Sequence, residues 1–156
     1  MTTITLEDLQ ARHVELGKLI DSFKAALPAI LHIPGTDIEL GQGERYAGLI
    51  LNDQGKPSHH LVLLPGDNDD ATWQDQLEWA KSIGGDLPDR VEQALLFKHF
   101  KSEFQERAYW SNTPCEPDDD EEESSWAWCQ GFSSGDQYYD HKLNEFRARA
   151  VRRLPI

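Results

Sequence analysis

Near Phe104 the sequence changes its period. Before it, apolar residues recur every three or four positions in several stretches, interrupted by one pair of β-rich runs; after it come short runs rich in Trp and Tyr, separated by clusters of Ser, Gly, Asn and Asp. The first texture is that of amphipathic helices and the second that of strands. Elements segregated in this way pack as an α+β fold with an antiparallel sheet, not as alternating βαβ units.

The strongest local signal is Asp89 to Glu92. Asp89 offers an N-cap oxygen, and Glu92, three residues on, can return its carboxylate to the cap N–H. Leu87 and Pro88 lead into this helix, and its spacing predicts Val91, Ala94, Leu95, Phe97 and Phe100 on the buried side. Upstream, Thr72 can cap a helix running from Trp73 through Leu77, Ala80 and Ile83, which Gly84 and Gly85 stop by supplying a left-handed turn. Glu44 to Leu51 and Ser58 to Leu64 flank the turn-rich Asn52 to Pro57 and predict a hairpin. Pro65 to Asp67 ends its second strand. Later strands are expected at Ala108 to Ser111, Ser125 to Phe132, Gln137 to Tyr139 and Arg147 to Leu154. Alternation along that last run places Arg147, Arg149 and Arg153 on one face and Arg152 on the other, and pairing with the chain's many carboxylates is the expected use of their forked guanidinium groups.

The N-terminal segment has its own pattern. Leu6, Leu9, His13, Leu16, Ile20 and Phe23 repeat at heptad a/d spacing from Thr5 to about Lys24, with Thr5 as N-cap and Asp8 in the first turn, where the amide dipoles favour a carboxylate. Pro28 and then Pro34 and Gly35 close it. So narrow a stripe points either to docking on the chain's own domain, the favoured reading for so short a repeat, or to homo-oligomerisation through those six residues. The expected organisation is an amphipathic helical segment over residues 1–34 and one folded domain over 35–156.

Charge excludes more than it assigns. The chain carries 28 acidic and 15 basic residues in 156, a formal charge of -13, so its mean field repels nucleic acid and direct nucleic-acid binding is not expected. A quarter of the acids, Glu116, Asp118, Asp119, Asp120, Glu121, Glu122 and Glu123, fall in one short run. No apolar stretch approaches the ~20 residues of a membrane-spanning helix, and the first residues do not read as a secretory signal, so a cytoplasmic protein is expected. The two cysteines, Cys115 and Cys129, are too few for a disulfide scaffold. His13, His32, His59, His60, His99 and His141 show no metal-ligand spacing; His59 and His60 adjoin on a strand and so face opposite ways. Nucleophile-elbow, phosphate-loop and dinucleotide motifs are missing, and neither a metal nor a cofactor is expected.

Six motifs occur in one order: Trp73 with its helix, Gly84 to Glu92, Tyr109 to Ser111, Trp126 to Gln130, Gly135 to Tyr139, and Arg147 to Arg153. Together they resemble the Lcl C-terminal-like domain, a family of the broad C-type-lectin and formylglycine-generating-enzyme-like fold group whose small members are common in phage and prophage genomes. The resemblance spans roughly Arg45 to Leu154. It implies a C-type-lectin-like domain with an antiparallel sheet and two helices, and a bacterial host cell as the setting. A scaffold does not supply an activity. Formylglycine-generating relatives use a reactive cysteine pair, but Cys129 sits in an aromatic strand and reads as a buried structural thiol. Glu116-Pro117-Asp118 is similar to the tripeptide with which true C-type lectins hold calcium and sugar. The Trp-Asn-Asp half of that signature is absent; Trp126 and Trp128 stand there instead, and a solvated acidic loop is favoured over a calcium site.

The functional expectation is a non-enzymatic binding protein that contacts a protein or a glycan through Tyr109, Trp110, Trp126, Trp128, Tyr138 and Tyr139. The alternative is an acidic phage inhibitor of a host defence or nucleic-acid-binding protein, with residues 116–123 imitating a phosphate backbone.

Overall fold

The computed structural model describes residues 4–27, 35–118 and 122–156. The chain divides into two units, Met1–Ile33 and Pro34–Ile156. The first is one helix, α1 (Leu6–Ala26), whose start is a full capping box: the Thr5 hydroxyl accepts from the Asp8 N–H, and the Asp8 carboxylate accepts from the Thr5 N–H. The Thr5 hydroxyl also donates to the Asp8 carboxylate, and this bond together with that from the Thr5 N–H holds the Asp8 carboxyl below its ordinary pKa. Leu27 ends the helix in extended backbone, and none of its residues is buried. The proposed closure at Pro28 and Pro34 lies outside the described residues, as does His32.

The second unit is α+β. Its elements are β1 (Arg45–Leu51), β2 (Pro57–Leu63), β3 (Asn68–Ala71), α2 (Trp73–Ser82), α3 (Arg90–Phe100), a short 3-10 turn, β4 (Ala108–Pro114), β5 (Trp126–Gly131), β6 (Gln137–His141), β7 (Phe146–Ala148) and β8 (Val151–Pro155). They form two sheets, β1-β2-β8 and β3-β7-β4-β5-β6. All pairings are antiparallel except β4 with β7. The expected single antiparallel sheet is therefore two sheets, the larger one mixed.

The expected terminal strand, Arg147 to Leu154, divides for the same reason. Its first half pairs beside β3 and β4, and its second half pairs beside β2. Between them Arg149 and Ala150 cross from sheet to sheet, where the Leu64 N–H donates to the Ala150 carbonyl and the Arg149 guanidinium donates to the Glu103 and Leu64 carbonyls. Four arginines that alternation put on two faces of one strand thus serve different neighbourhoods. Arg147 pairs with Asp67 and Asp69, Arg152 with Glu44, and Arg153 with Glu92 and Asp86.

Strand β4 lies between two apolar clusters. Tyr109 belongs to one, with Leu61, Leu63, Leu96, Phe104, Phe132 and Val151; Trp110 belongs to the other, with Leu64, Ala80, Leu87, Ala127, Cys129, Ala148 and Ala150. Adjacent residues on a strand face opposite ways, so burial of both means that both faces of β4 are covered. Helix α2 closes the Trp110 side. Its buried Gln76 donates to the Asp69 and Phe146 carbonyls and accepts from Asn68, which pins the helix to β3 and β7. Beyond α2, Gly84 has φ +83°, and a Cβ at Gly85 would sit 2.8 Å from the Val151 carbonyl. The first glycine makes the stop, and the second lets the chain pass against β8.

Helix α3 closes the Tyr109 side, where Leu95, Phe97 and Phe100 pack against the core as expected, but the rest of its buried face differs. Val91 is 63% exposed and Ala94 is also exposed; the buried residues are Glu92, Gln93 and Leu96. Two of these are polar and hydrogen-bonded to distant parts of the fold, which apolar periodicity cannot register. Gln93 donates to the Tyr109 carbonyl. Glu92 completes the capping box with Asp89 and also accepts both arms of the Arg153 fork at 2.7 Å and meets the His59 imidazole at 2.8 Å. Burial pushes the Glu92 carboxyl up, but Arg153, the Asp89 N–H and His59 outweigh it and hold it below its ordinary value.

Candidate functional site

The path of α3 over the larger sheet leaves one part of it open. Phe97 packs edge-on against Phe132, while Arg90, the first residue of the helix, lies with its guanidinium 3.5 Å over the Trp128 ring. Since Trp128 belongs to β5 and Phe132 follows it, the helix runs in the same sense as that strand and begins over Trp128, with Trp126 beyond its first residue. Past Arg90 the sheet face carries no residue of α3.

What stands on that face follows from register. Trp128 pairs with Tyr139, Trp126 with His141, and Gln130 with Gln137, so these six side chains share one side of the β5–β6 ladder. Tyr139 meets both tryptophans edge to face, with centroids 6.1 Å from Trp126 and 5.4 Å from Trp128 and interplanar angles of 88° and 75°. His141 lies edge-on to Trp126 at 5.5 Å. Gln137 sets the Arg90 end: its amide donates to the Arg90 carbonyl and to Gln130, and its oxygen accepts from the Arg90 Nε.

This face is the floor of a cavity of about 790 Å3 lined by Arg90, Thr113, Pro114, Cys115, Glu116, Asp118, Ser124, Trp126, Trp128 and Tyr139. Volume of this order suits a small molecule or the side chains of a docked segment. Trp126 is 41% and Tyr139 57% exposed, so the aromatic wall is available. The Cys115 N–H donates to the Trp126 carbonyl, which ties the start of the acidic run to β5. Glu116, Asp118, Glu122 and Glu123 are exposed, and among the described residues none has an ion-pair partner. On the other side of the run a smaller cavity of about 360 Å3 includes Glu122, Glu123, Trp73 and Lys142, whose ammonium stands 4.4 Å over the Trp73 ring.

The structure therefore sorts the candidate binding residues. Trp126, Trp128, Tyr139, Glu116 and Asp118 come together in one cavity. Glu122 and Glu123 flank it in the next one, and Asp119, Asp120 and Glu121 lie outside the described residues. Tyr109 and Trp110 do not belong to a binding surface. Both are buried, with the Tyr109 hydroxyl donating to Asp67 and the Trp110 indole to the Ala71 carbonyl. Tyr138, although 40% exposed, points away from the cavity with its partner Cys129 on the opposite face of β6. Arg90, Thr113 and Pro114 were not among the candidates. A helix-initial arginine carries no mark of stacking in sequence; only the convergence of α3 and β5 creates it.

Cys115 is half-buried, and its thiol is pushed up chiefly by burial, with Lys142 and Arg90 only partly opposing the shift. Buried Cys129 is pushed up to about 12 by burial. A thiol kept protonated is a poor nucleophile. Among the described residues no three His, Cys, Asp or Glu side chains are grouped to hold a metal ion, and no helix is long and apolar enough to cross a membrane. No protein-family model matches the sequence, and comparison with curated proteins gives no significant match.

Proposed function

We propose that this chain is a non-enzymatic recognition module on a C-type-lectin-like scaffold, acting in the cytoplasm of a bacterial host and binding a protein or glycan partner through the cavity between Arg90, Trp126, Trp128 and Tyr139. One observation carries the reading: an aromatic wall left exposed beside the first residue of α3, next to exposed carboxylates, in a cavity of about 790 Å3. Stacking on exposed Trp and Tyr contributes area at low entropic cost, and polar groups around it orient a ligand. The family resemblance, with a last strand that returns beside β2, supports the scaffold.

The test is to screen peptide and glycan panels with the purified chain and with a Trp126→Ala/Tyr139→Ala variant. Ligands that bind the wild type and are lost by the variant, at unchanged thermal midpoint, are the expected result. Ligands retained in full by the variant would move the site elsewhere. The competing reading, in which the acidic run alone imitates a phosphate backbone, draws on the exposure of Glu116, Asp118, Glu122 and Glu123, for which the described residues supply no ion-pair partner. It expects binding to vanish when residues 116–123 are replaced by Gly and Ser and to survive loss of the two aromatics.

We also propose self-association of α1, because Leu6, Leu9, His13, Leu16, Ile20 and Phe23 repeat at heptad a/d spacing along one stripe of the helix. Light scattering on the full chain should give a multiple of the 17.8 kDa chain mass, reduced to the monomer by Leu9→Asp/Leu16→Asp. A wild-type monomer removes this assignment.

A further inference from the structure

The cavity's own geometry restricts what its aromatic wall can hold. Tyr139 meets Trp126 and Trp128 nearly at right angles, and Trp126 and Tyr139 stay substantially exposed where a face of Trp128 is already taken. Its occupant is a guanidinium, that of Arg90, at 3.5 Å from the ring centroid. Ring faces carry negative electrostatic potential, and tryptophan is the strongest of the aromatic partners for a cation. The wall therefore already contains one worked instance of the chemistry its vacant half presents.

Charge points the same way. The rim supplies Glu116 and Asp118, both exposed and, among the described residues, without an ion-pair partner. The arginines of β7 and β8 are committed to Asp67, Asp69, Glu44, Glu92, Asp86 and backbone carbonyls, so none of them neutralises the rim. With a formal charge of -13 the chain draws cations towards it. An anionic ligand would meet Arg90 but also both rim carboxylates.

Resting on the recognition-module reading above, we propose that the cavity takes an arginine side chain from an exposed segment of a partner protein. Its guanidinium stacks on the Trp126–Tyr139 wall and pairs with Glu116 and Asp118. Arginine fits better than lysine because its plane stacks on rings, its fork matches a carboxylate, and it is the more weakly hydrated of the two. A cavity of about 790 Å3 is far larger than one guanidinium and has room for the neighbouring residues of the segment.

The probes are a short blocked Gly-Ser peptide carrying one arginine, the same peptide with lysine, the same with citrulline, which keeps the shape and removes the charge, and a chitin oligosaccharide as the glycan arm. Binding is read from the indole N–H resonances of the full chain, with Trp126 assigned by Trp126→Phe. The arginine peptide should shift the Trp126 resonance in a saturable, salt-weakened way and bind about tenfold more tightly than the citrulline peptide, the loss expected for a partly desolvated cation–π contact. Lysine should fall between them. Glu116→Gln/Asp118→Asn should bring the arginine peptide down to the citrulline level while leaving the other indole resonances in place. Equal binding of arginine and citrulline peptides, or unchanged binding by the Glu116/Asp118 variant, overturns the arginine site. Saturable binding of the oligosaccharide alone at Trp126 overturns it too but leaves the recognition module standing. Silence of Trp126 towards every probe overturns the arginine site, and the panel screen then judges the module independently.

Discussion

Two regions of this domain are built from the same materials and end in opposite states. Between α3, β4 and β8, aromatic rings and charged groups consume one another: Tyr109 and Trp110 are sealed on the two faces of β4, and Glu92 is enclosed by Arg153, His59 and its own cap. On β5 and β6, beyond the first residue of α3, Trp126, Tyr139, Glu116 and Asp118 stay accessible. The difference is not composition. It is whether a layer lies above the strand, and a layer supplies both desolvation and partners. Where it is present, polar groups must be paired to be tolerated; where it ends, water satisfies them and a ligand can replace the water.

That comparison can be tested from its stiffest side to its softest. Trp110→Ala should cost about 4 kcal/mol, as the removal of a fully buried large ring and the cavity left behind require, and urea unfolding at neutral pH measures it. A cost below about 1 kcal/mol would mean that the second cluster is not a core. Glu92→Gln should cost about 3 kcal/mol, because it leaves the Arg153 guanidinium short of the buried carboxylate that receives two of its arms. The same substitution should flatten the acid limb of stability. Glu92 is held below its ordinary pKa in the folded state, so its contribution is full above the ordinary carboxylate value and is lost as pH falls through the depressed one. Equal acid midpoints for Glu92→Gln and wild type would remove Glu92 from that limb.

At the soft end, Trp126→Ala/Tyr139→Ala should lower stability by about 1 kcal/mol or less, since both rings are substantially exposed and pack mainly against each other and their strand neighbours. Thermal melts would show it. A loss as large as that of Trp110→Ala would make the open face structural and erase the contrast between the regions.

Local signals in the sequence located most of the elements. Thr5, Thr72 and Asp89 cap the three helices where capping chemistry places them, Gly84 stops α2, and the hairpin turns at Asn52 to Lys56, where the Asn52 side chain accepts from the Gln54 and Lys56 N–H groups. These features are legible because each is a bargain between residues a few positions apart. Strand β3 is not legible in the sequence because Asn68 to Ala71 has no β-rich pattern; it is a strand because β7 and Gln76 of α2 reach it. Spacing places Leu95, Phe97 and Phe100 of α3 against the core, but not Glu92 and Gln93, whose partners lie far along the chain and which turn inward in place of Val91 and Ala94.

For the candidate site, the aromatic and acidic residues could be named from sequence, but not sorted. Tyr109 and Trp126 look alike in one dimension, as do Tyr138 and Tyr139. What distinguishes them is the side of the strand and the reach of α3, both set by pairing between distant segments. Arg90 shows the limit most plainly, since nothing near it in the chain announces a ring 38 residues away. Sequence by itself determined the α+β composition, the helix ends, the turns and the acidity, all of which depend on short-range hydrogen bonding and residue type. Tertiary structure alone decided the division into two sheets, the pairing of each C-terminal arginine and the uncovered wall of β5 and β6, because burial and charge partnership are properties of what is packed above a residue and not of its neighbours in the chain.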